Sequence, residues 1–267
     1  MKEKIALIDG DSLIYYEMGK PTLEEALESL NGRLHQMFEQ TEATHYAGFL
    51  TSGRCFRYAA AKTKPYKGNR KYGDKPIIFP AIKEYLRQHW GFMSASELEA
   101  DDLVSIYNKS NTVICSPDKD VLYQNVGKHY NYGKAEFVEV NEEEATTFLW
   151  KQMLMGDSTD GIQGIPKVGP KTADKWLAGL NIDKMPSFVL EKYIEHFGNA
   201  KGISKFAETF KLVYILKDKQ DVWRETDCQE SALNFINFEH RVPPINDDDL
   251  CYKVHQFNLY SYKRINS

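Results

Sequence analysis

The sequence predicts an α/β domain with a central, mostly parallel sheet flanked by helices, followed by a smaller helical region. Three observations carry that prediction. Short apolar runs alternate with stretches of helical periodicity in the first half of the chain. Several of those runs end in acidic residues, as buried parallel strands do when they open into loops at one edge of a sheet. After Asn141 the strand pattern gives way to helices.

The elements follow in order. Lys4 to Ile8 is an apolar run that turns into Asp9-Gly10-Asp11, a strand ending in a loop. From Leu23 to Phe38, Leu23, Ala26, Leu27, Leu30, Leu34, Met37 and Phe38 recur at helical spacing. Ala47 to Leu50 and Thr112 to Cys115 read as strands, with helices expected at Phe79 to Trp90 and Ser96 to Asn108. Ser96-x-x-Glu99 is a capping box, which explains Glu99 but not its neighbours Asp101 and Asp102 in the same first turn. Asn141-x-x-Glu144 is a second capping box, opening a helix with Ala145, Phe148, Leu149, Met153 and Leu154 on its apolar stripe. Further helices are expected at Pro170 to Ala178, Ser187 to Phe197 and Ile203 to Lys217.

Acidic residues carry the chemical signal. Asp9 and Asp11, Glu97 and Glu99, Asp101 and Asp102, Asp118 and Asp120, and Asp157 and Asp160 form five short clusters. Asp is a common turn former, so any one pair reads first as a solvated turn. Five such pairs point to convergence, and converging carboxylates repel one another unless hard cations lie between them. The net charge of −4 conceals an uneven distribution: without those ten, 34 basic residues face 28 acidic ones. Between Arg54 and Lys75 stand eight basic residues and the single acid Asp74, a composition suited to phosphate. The four cysteines are isolated, so neither zinc nor a disulfide framework is expected, and Cys115 reads as core. No apolar run is long enough to span a membrane, and the start MKEKIALIDGDS does not fit a signal peptide. A cytoplasmic location is expected.

Taken in order, Ile8-Asp9-Gly10-Asp11, Tyr66-Lys67-Gly68-Asn69-Arg70, Glu99-Ala100-Asp101-Asp102, Ser116-Pro117-Asp118-Lys119-Asp120, Gly156-Asp157-Ser158-Thr159-Asp160 and Gly164-Ile165-Pro166-Lys167-Val168-Gly169-Pro170-Lys171-Thr172-Ala173 resemble the motifs of the 5′-nuclease family. That family contains flap endonucleases, the 5′-nuclease domain of bacterial DNA polymerase I, and phage 5′-3′ exonucleases. The Asp-Gly-Asp form and the short chain most resemble the phage enzymes. The resemblance implies a PIN-like nuclease core over 1–150 with a helical arch at about 54–80, and a helix-hairpin-helix subdomain over 151–220. A C-terminal segment over 221–267 is expected to pack back on the core.

By the same resemblance, Asp9, Glu99, Asp101 and Asp118 contribute to a first metal site, and Asp102, Asp120, Asp157 and Asp160 build or support a second. Asp11 is expected to act through water. Glu97 has no counterpart and reads as a surface residue. Magnesium suits all-oxygen ligands, with manganese as substitute, and paired ions suit phosphodiester hydrolysis. Lys67 and Arg70, sharing a helical face of the arch, would hold the scissile phosphate, and Tyr66 would stack on a terminal base. Gly164, Lys167, Gly169, Lys171 and Thr172 belong to a loop that in the family binds duplex DNA, often with potassium. Implied partners are DNA with 5′ ends, flaps or nicks, an RNA-DNA hybrid in primer removal, and replication proteins. A monomer is expected.

One position departs from the family pattern. Within Phe49-Leu50-Thr51-Ser52-Gly53-Arg54, Thr51 stands where the family has an aspartate. A hydroxyl is a weak substitute for a carboxylate at a dication, so the first metal is expected to bind less tightly or to depend on Asp11. Thr51 also supports a competing function, a protein that binds branched DNA without cutting it. Against that stand the remaining acids and Lys67, which binding alone does not require. An aspartyl-phosphate phosphatase built on Asp9 and Asp11 leaves the later acids unexplained. An RNA-cutting nuclease with a similar carboxylate core is disfavoured by the hairpin.

Overall fold

The computed structural model describes residues 4–69, 76–218 and 255–256. Its strands are β1 (Ile5–Asp9), β2 (His45–Phe49), β3 (Thr112–Cys115), β4 (Gly127–Asn131), β5 (Glu136–Val140), β6 (Gly156–Asp157), β7 (Ile162–Gln163) and β8 (His255–Gln256). Its first helices are α1 (Gly10–Glu17), α2 (Leu23–Thr41), α3 (Arg57–Ala60), α4 (Ile78–His89) and α5 (Ala100–Ile106). The rest are α6 (Lys119–Tyr123), α7 (Glu142–Met155), α8 (Pro170–Leu177), α9 (Met185–Phe197) and α10 (Asn199–Val213). The chain divides into two compact units, one of Met1–Gly53, Asp74–Glu139 and Asn246–Ser267, the other of Arg54–Gly73 and Val140–Ile245.

The first unit holds a six-stranded sheet in the order β5-β4-β3-β1-β2-β8. The strands β4, β3, β1 and β2 run parallel, and β8 pairs antiparallel with β2. All five residues of β1 are buried, which is what a central strand covered on both faces requires. Its neighbours fix its register: Ile8 lies beside Gly48 of β2 and Cys115 of β3. Burial pushes the Cys115 thiol up to about 12, so it is a core group as the sequence suggests. Helix α2 begins where Thr22 accepts the Glu25 amide and buries Ala26, Leu30, Leu34, Met37 and Phe38. Those side chains pack with Ile82 and Leu86 of α4 in one apolar cluster.

Gly10 and Gly48 are required by close approach. A methyl group on Gly48 would collide with the Phe92 ring, and one on Gly10 would lie 2.6 Å from the Phe49 carbonyl and 2.8 Å from Phe92. The Phe92 ring therefore occupies the space that two missing side chains leave, directly under the strand end that carries Asp9.

In the second unit, α7 opens on the expected box: Asn141 and Glu144 exchange side-chain to backbone hydrogen bonds of 2.9 Å each. The core of this unit is aromatic. Trp150 of α7 stacks on Phe206 of α10, and the buried Tyr193 hydroxyl of α9 donates to the Met153 carbonyl at 2.6 Å. Gly202 lets α10 approach the α9 backbone, where a Cβ would lie 2.7 Å from the Tyr193 carbonyl.

Several elements differ from the sequence expectation. The acid-bearing helix starts at Ala100 rather than Ser96, because the Glu99 amide donates to Asp102 Oδ2 at 3.1 Å and shifts the cap three residues onward. Helix α10 starts at Asn199, before the expected Ile203, and ends at Val213. The short α1 and α6 and the strands β4 and β5 gave no clear periodic signal. Arg57, counted among the phosphate-facing basic residues, is instead 3% exposed and donates to the carbonyls of Leu212 and Tyr214 at 3.2 and 2.8 Å. It closes the carboxyl end of α10, where unpaired carbonyls favour a cation. Arg70 and the rest of 70–75, and the C-terminal segment apart from β8, lie outside the described residues. No described helix is long and apolar enough to cross a membrane.

Gly48→Ala should lower the unfolding free energy by roughly 1–3 kcal/mol, the usual cost of overpacking a core. Urea denaturation of Gly48→Ala, Phe92→Leu and the double variant checks this, and the double variant should lose less than the two singles together. Strict additivity would mean that Phe92 is not the obstacle.

Candidate active site

In the first unit the acids gather where strands end and helices begin. Asp9 closes β1 and caps α1, accepting the Ser12 amide at 3.2 Å through Oδ1. Its other oxygen accepts the Ser116 hydroxyl at 2.9 Å. Ser116 in turn accepts the Asp118 amide at 3.1 Å, which joins the ends of the adjacent strands β1 and β3. Asp118 caps α6 and accepts the Asp120 amide at 2.8 Å. On α5, Glu99 is the capping residue, Asp101 is half-buried, and Asp102 is fully buried.

Asp9 is wholly buried, and its carboxyl is raised to about 6. Burial is the main cause, the charges of Asp11 and Asp118 add to it, and the hydrogen bonds from Ser12 oppose it. Three of the predicted acids therefore feel one another. Among the described residues no three acidic, histidine or cysteine groups stand in ready ion-holding geometry. The carboxylates are held by local amides and hydroxyls instead.

The Thr51 position is a hydrogen-bond junction. Its amide donates to both oxygens of Asp11 at 3.3 and 3.2 Å, its hydroxyl accepts the Ala100 amide at 3.1 Å, and its carbonyl accepts Lys83 Nζ at 2.5 Å. Asp11, expected to work through water, is seated on the Thr51 backbone. Neither Lys83 nor Ser116 was picked out as a functional residue from sequence. Ser116 lies inside a motif that was read only for its acids, while Lys83 sits on an amphipathic helix and has no local signal.

In the second unit, the basic segment docks on the turn that carries Asp157 and Asp160. The Asp160 carbonyl accepts the Lys67 amide at 2.8 Å, its carboxylate accepts the Tyr66 hydroxyl at 3.1 Å, and Lys67 Nζ lies 3.8 Å away. The Asn69 amide group donates to the Ser158 carbonyl at 2.7 Å. Asp157 accepts the Thr159 amide at 2.8 Å and so tightens its own turn. Lys67 has a left-handed backbone, φ 55°, and sits in a turn rather than on a helical face. Tyr66, expected to stack on a base, is 5% exposed, with its ring edge-on to Tyr58. The start of this segment is fastened to α10, where Glu208 accepts the amides of Lys62 and Thr63 at 2.7 and 2.6 Å.

Farther along, Gly164 is demanded by packing. A Cβ there would clash with the Met155–Gly156 backbone beside the β6–β7 pair. Lys167 is exposed with φ 65°, and Gly169 caps α8 with open space at its Cα. Pro170 takes the first helical turn, Lys171 is exposed, and the Thr172 amide donates to the Gly169 carbonyl at 3.0 Å. This helix start leaves Lys167 and Lys171 exposed, while the Thr172 and Ala173 amides both donate to the Gly169 carbonyl.

No family model matches the chain. The flap endonuclease Xni of Shewanella halifaxensis is 25% identical over 190 residues, which cover 64% of this chain and 75% of that protein. DNA polymerase I of Bacillus subtilis is 28% identical over 244 residues, covering 76% of this chain but only 27% of the polymerase. Among solved structures, the T5 D15 protein co-crystallized with metal ions matches with a TM-score of 0.61 at 16% identity, covering 88% of this chain and 97% of that one. The catalytic core of Rad2 in complex with DNA substrate matches with a TM-score of 0.53 at 13% identity, covering 99% and 86%. Those two structures establish the shared fold. In the order of their acidic motifs, in the sheet that positions them and in these relatives, the chain is similar to the 5′-nucleases.

Proposed function

We propose that this chain is a structure-specific 5′-nuclease, both flap endonuclease and 5′-3′ exonuclease, that hydrolyses DNA phosphodiesters with magnesium or manganese. The observation that carries this reading is Asp9, a fully buried carboxylate at a strand end with Asp11 and Asp118 raising its proton affinity. A divalent cation relieves that crowding, and an all-oxygen donor set suits magnesium. Relatives named as flap endonucleases, and structural neighbours described with metal ions and with DNA substrate, support the same reading.

Asp9, Glu99, Asp101 and Asp118 would hold the first ion, with Asp102 and Asp120 in the same unit, and Asp157 and Asp160 would serve a second. Bound there, such ions acidify a water and offset charge on the phosphate. The protein groups have distinct tasks. Ser12 and Ser116 orient Asp9 so that its carboxylate stays fixed as its charge state changes. Lys67 carries the positive charge that holds the scissile phosphate, and its attachment to the Asp160 turn limits the entropy lost when substrate binds. Arg70 is assigned the same task from its motif alone. The α8 start, with Lys167 and Lys171, binds duplex backbone through amides and screened charge. Potassium takes backbone carbonyls of the kind this turn contains, and replacing KCl by a choline salt in a duplex-binding assay tests for it. Removal of RNA primers during replication, in a phage setting, is the proposed biological role.

Digestion of end-labelled flap, nicked and single-stranded DNA with magnesium, and again with EDTA, tests the reading. Products should carry 5′-phosphate and 3′-hydroxyl. Inactivity on every branched and duplex DNA with either metal would sink it and leave the non-cleaving DNA-binding alternative.

Lys67→Ala should slow single-turnover cleavage by about 10²-fold or more, the size of one lost transition-state contact, with little loss of duplex affinity. Lys171→Ala should do the reverse and flatten the salt dependence of binding. Equal affinity losses in both variants, with no rate defect in Lys67→Ala, would refute these roles.

Asp9 also yields a pH prediction. Its folded carboxyl titrates near 6 instead of 3.8, so its contribution to stability is complete below its unfolded value and is lost as pH rises through 6. In metal-free buffer, Asp9→Asn should therefore melt above wild type at pH 7.5, with the gap closing as pH falls from 6 toward 4. Added magnesium should raise the wild-type melting temperature and leave Asp9→Asn nearly unchanged. A pH-independent gap would show that Asp9 is not the titrating group.

A further inference from the structure

We infer that Thr51 is a positioning residue that ties the end of β2 to the start of the acid-bearing helix α5. This inference rests on the nuclease reading above. Helix α5 is only seven residues long and carries Asp101 and Asp102 in its first turn, with Glu99 as its cap. A helix that short has little intrinsic stability and depends on what holds its ends. Its first amide, that of Ala100, donates to Thr51 Oγ1 at 3.1 Å, while the Glu99 amide donates to Asp102. Thr51 thus satisfies an amide at the helix start from a residue 49 positions away in sequence, the work a capping residue normally does from next door.

The same residue gathers two charges. Its amide holds Asp11 through both carboxylate oxygens, and its carbonyl holds Lys83 Nζ. Asp11 lies two residues from Asp9, and Ala100 lies between Glu99 and Asp101. One threonine therefore sets the spacing between the acids that follow β1 and those that open α5. The hydroxyl is the specific requirement: it accepts from an amide without adding a negative charge beside Asp9, where Asp11 and Asp118 already oppose ionisation. A carboxylate at this position would also accept the bond, but would add to that repulsion.

The test compares Thr51→Val, which keeps the shape and removes the acceptor, with Thr51→Ser, which keeps the acceptor. Three measurements are made on each: hydrogen exchange at the Ala100 amide without metal, Mn2+ binding by calorimetry, and the Mg2+ dependence of flap cleavage. In Thr51→Val the Ala100 amide should exchange about fivefold to tenfold faster, the size expected for one lost helix cap. Mn2+ affinity and the Mg2+ midpoint should weaken by a similar factor, with the rate at saturating metal falling less. Thr51→Ser should recover all three to within about twofold. Faster exchange in Thr51→Val with unchanged metal affinity would overturn the inference, as would equal defects in both variants. If wild type cleaves no DNA, the nuclease reading fails while the exchange and Mn2+ arms still decide the role of Thr51. Should Thr51→Val fail to fold, Thr51→Ala serves in its place and the same comparison with Thr51→Ser decides.

Discussion

A carboxylate with no exposure to water, placed at the end of a central strand, is the constraint that organises the first unit. Desolvation and the neighbouring charges of Asp11 and Asp118 oppose ionisation of Asp9, so the fold must supply donors at fixed places. It does so with the Ser12 amide at the start of α1 and the Ser116 hydroxyl at the end of β3. The first is a local cap, but the second requires β1 and β3 to end at the same level, and parallel pairing with Ile8 beside Cys115 provides that. The glycines at 10 and 48 and the Phe92 ring between them close the space beneath. A site of this kind stores unfavourable electrostatics in the protein, which the proposed divalent cation would relieve.

The second unit solves a different problem, which is to hold a highly basic segment that has little to bury. Its first residues are secured by one buried guanidinium, Arg57, on the carbonyls at the end of α10, and by Glu208 on two consecutive amides. Farther on, Asp160 engages Lys67 by its carbonyl and Tyr66 by its carboxylate. A left-handed backbone at Lys67 costs something in a non-glycine residue, and these bonds offset it. Tyr66 acts as a strut in this arrangement, with its ring covered. The ammonium of Lys67 is half-buried between the Tyr66 ring and Asp160, which gives it a defined position.

Legibility in the sequence followed the range of the interactions involved. The strands β1, β2 and β3, the long helices, the cap at Asn141 and the helix start at Pro170 show in the pattern of neighbouring side chains. The strands β4 and β5 were missed: Gly127-Lys-His-Tyr-Asn mixes polar residues into a strand that lies between β5 and β3, and β5 at the sheet edge is largely exposed. Helix α6 has five residues and forms because Asp118 caps it, so it has no periodicity to read.

The sequence by itself determined the alternation of strands and helices, the order of the acidic motifs, and the resemblance they carry. Those depend on residue type and spacing alone. Tertiary structure decided how individual side chains are used. Arg57 became a helix-end cation, Tyr66 a buried strut, and Thr51 a junction between β2 and α5, because their partners lie 155, 94 and 49 residues away. Whether a polar group meets water or a distant amide depends on where the chain returns, and no local pattern encodes that.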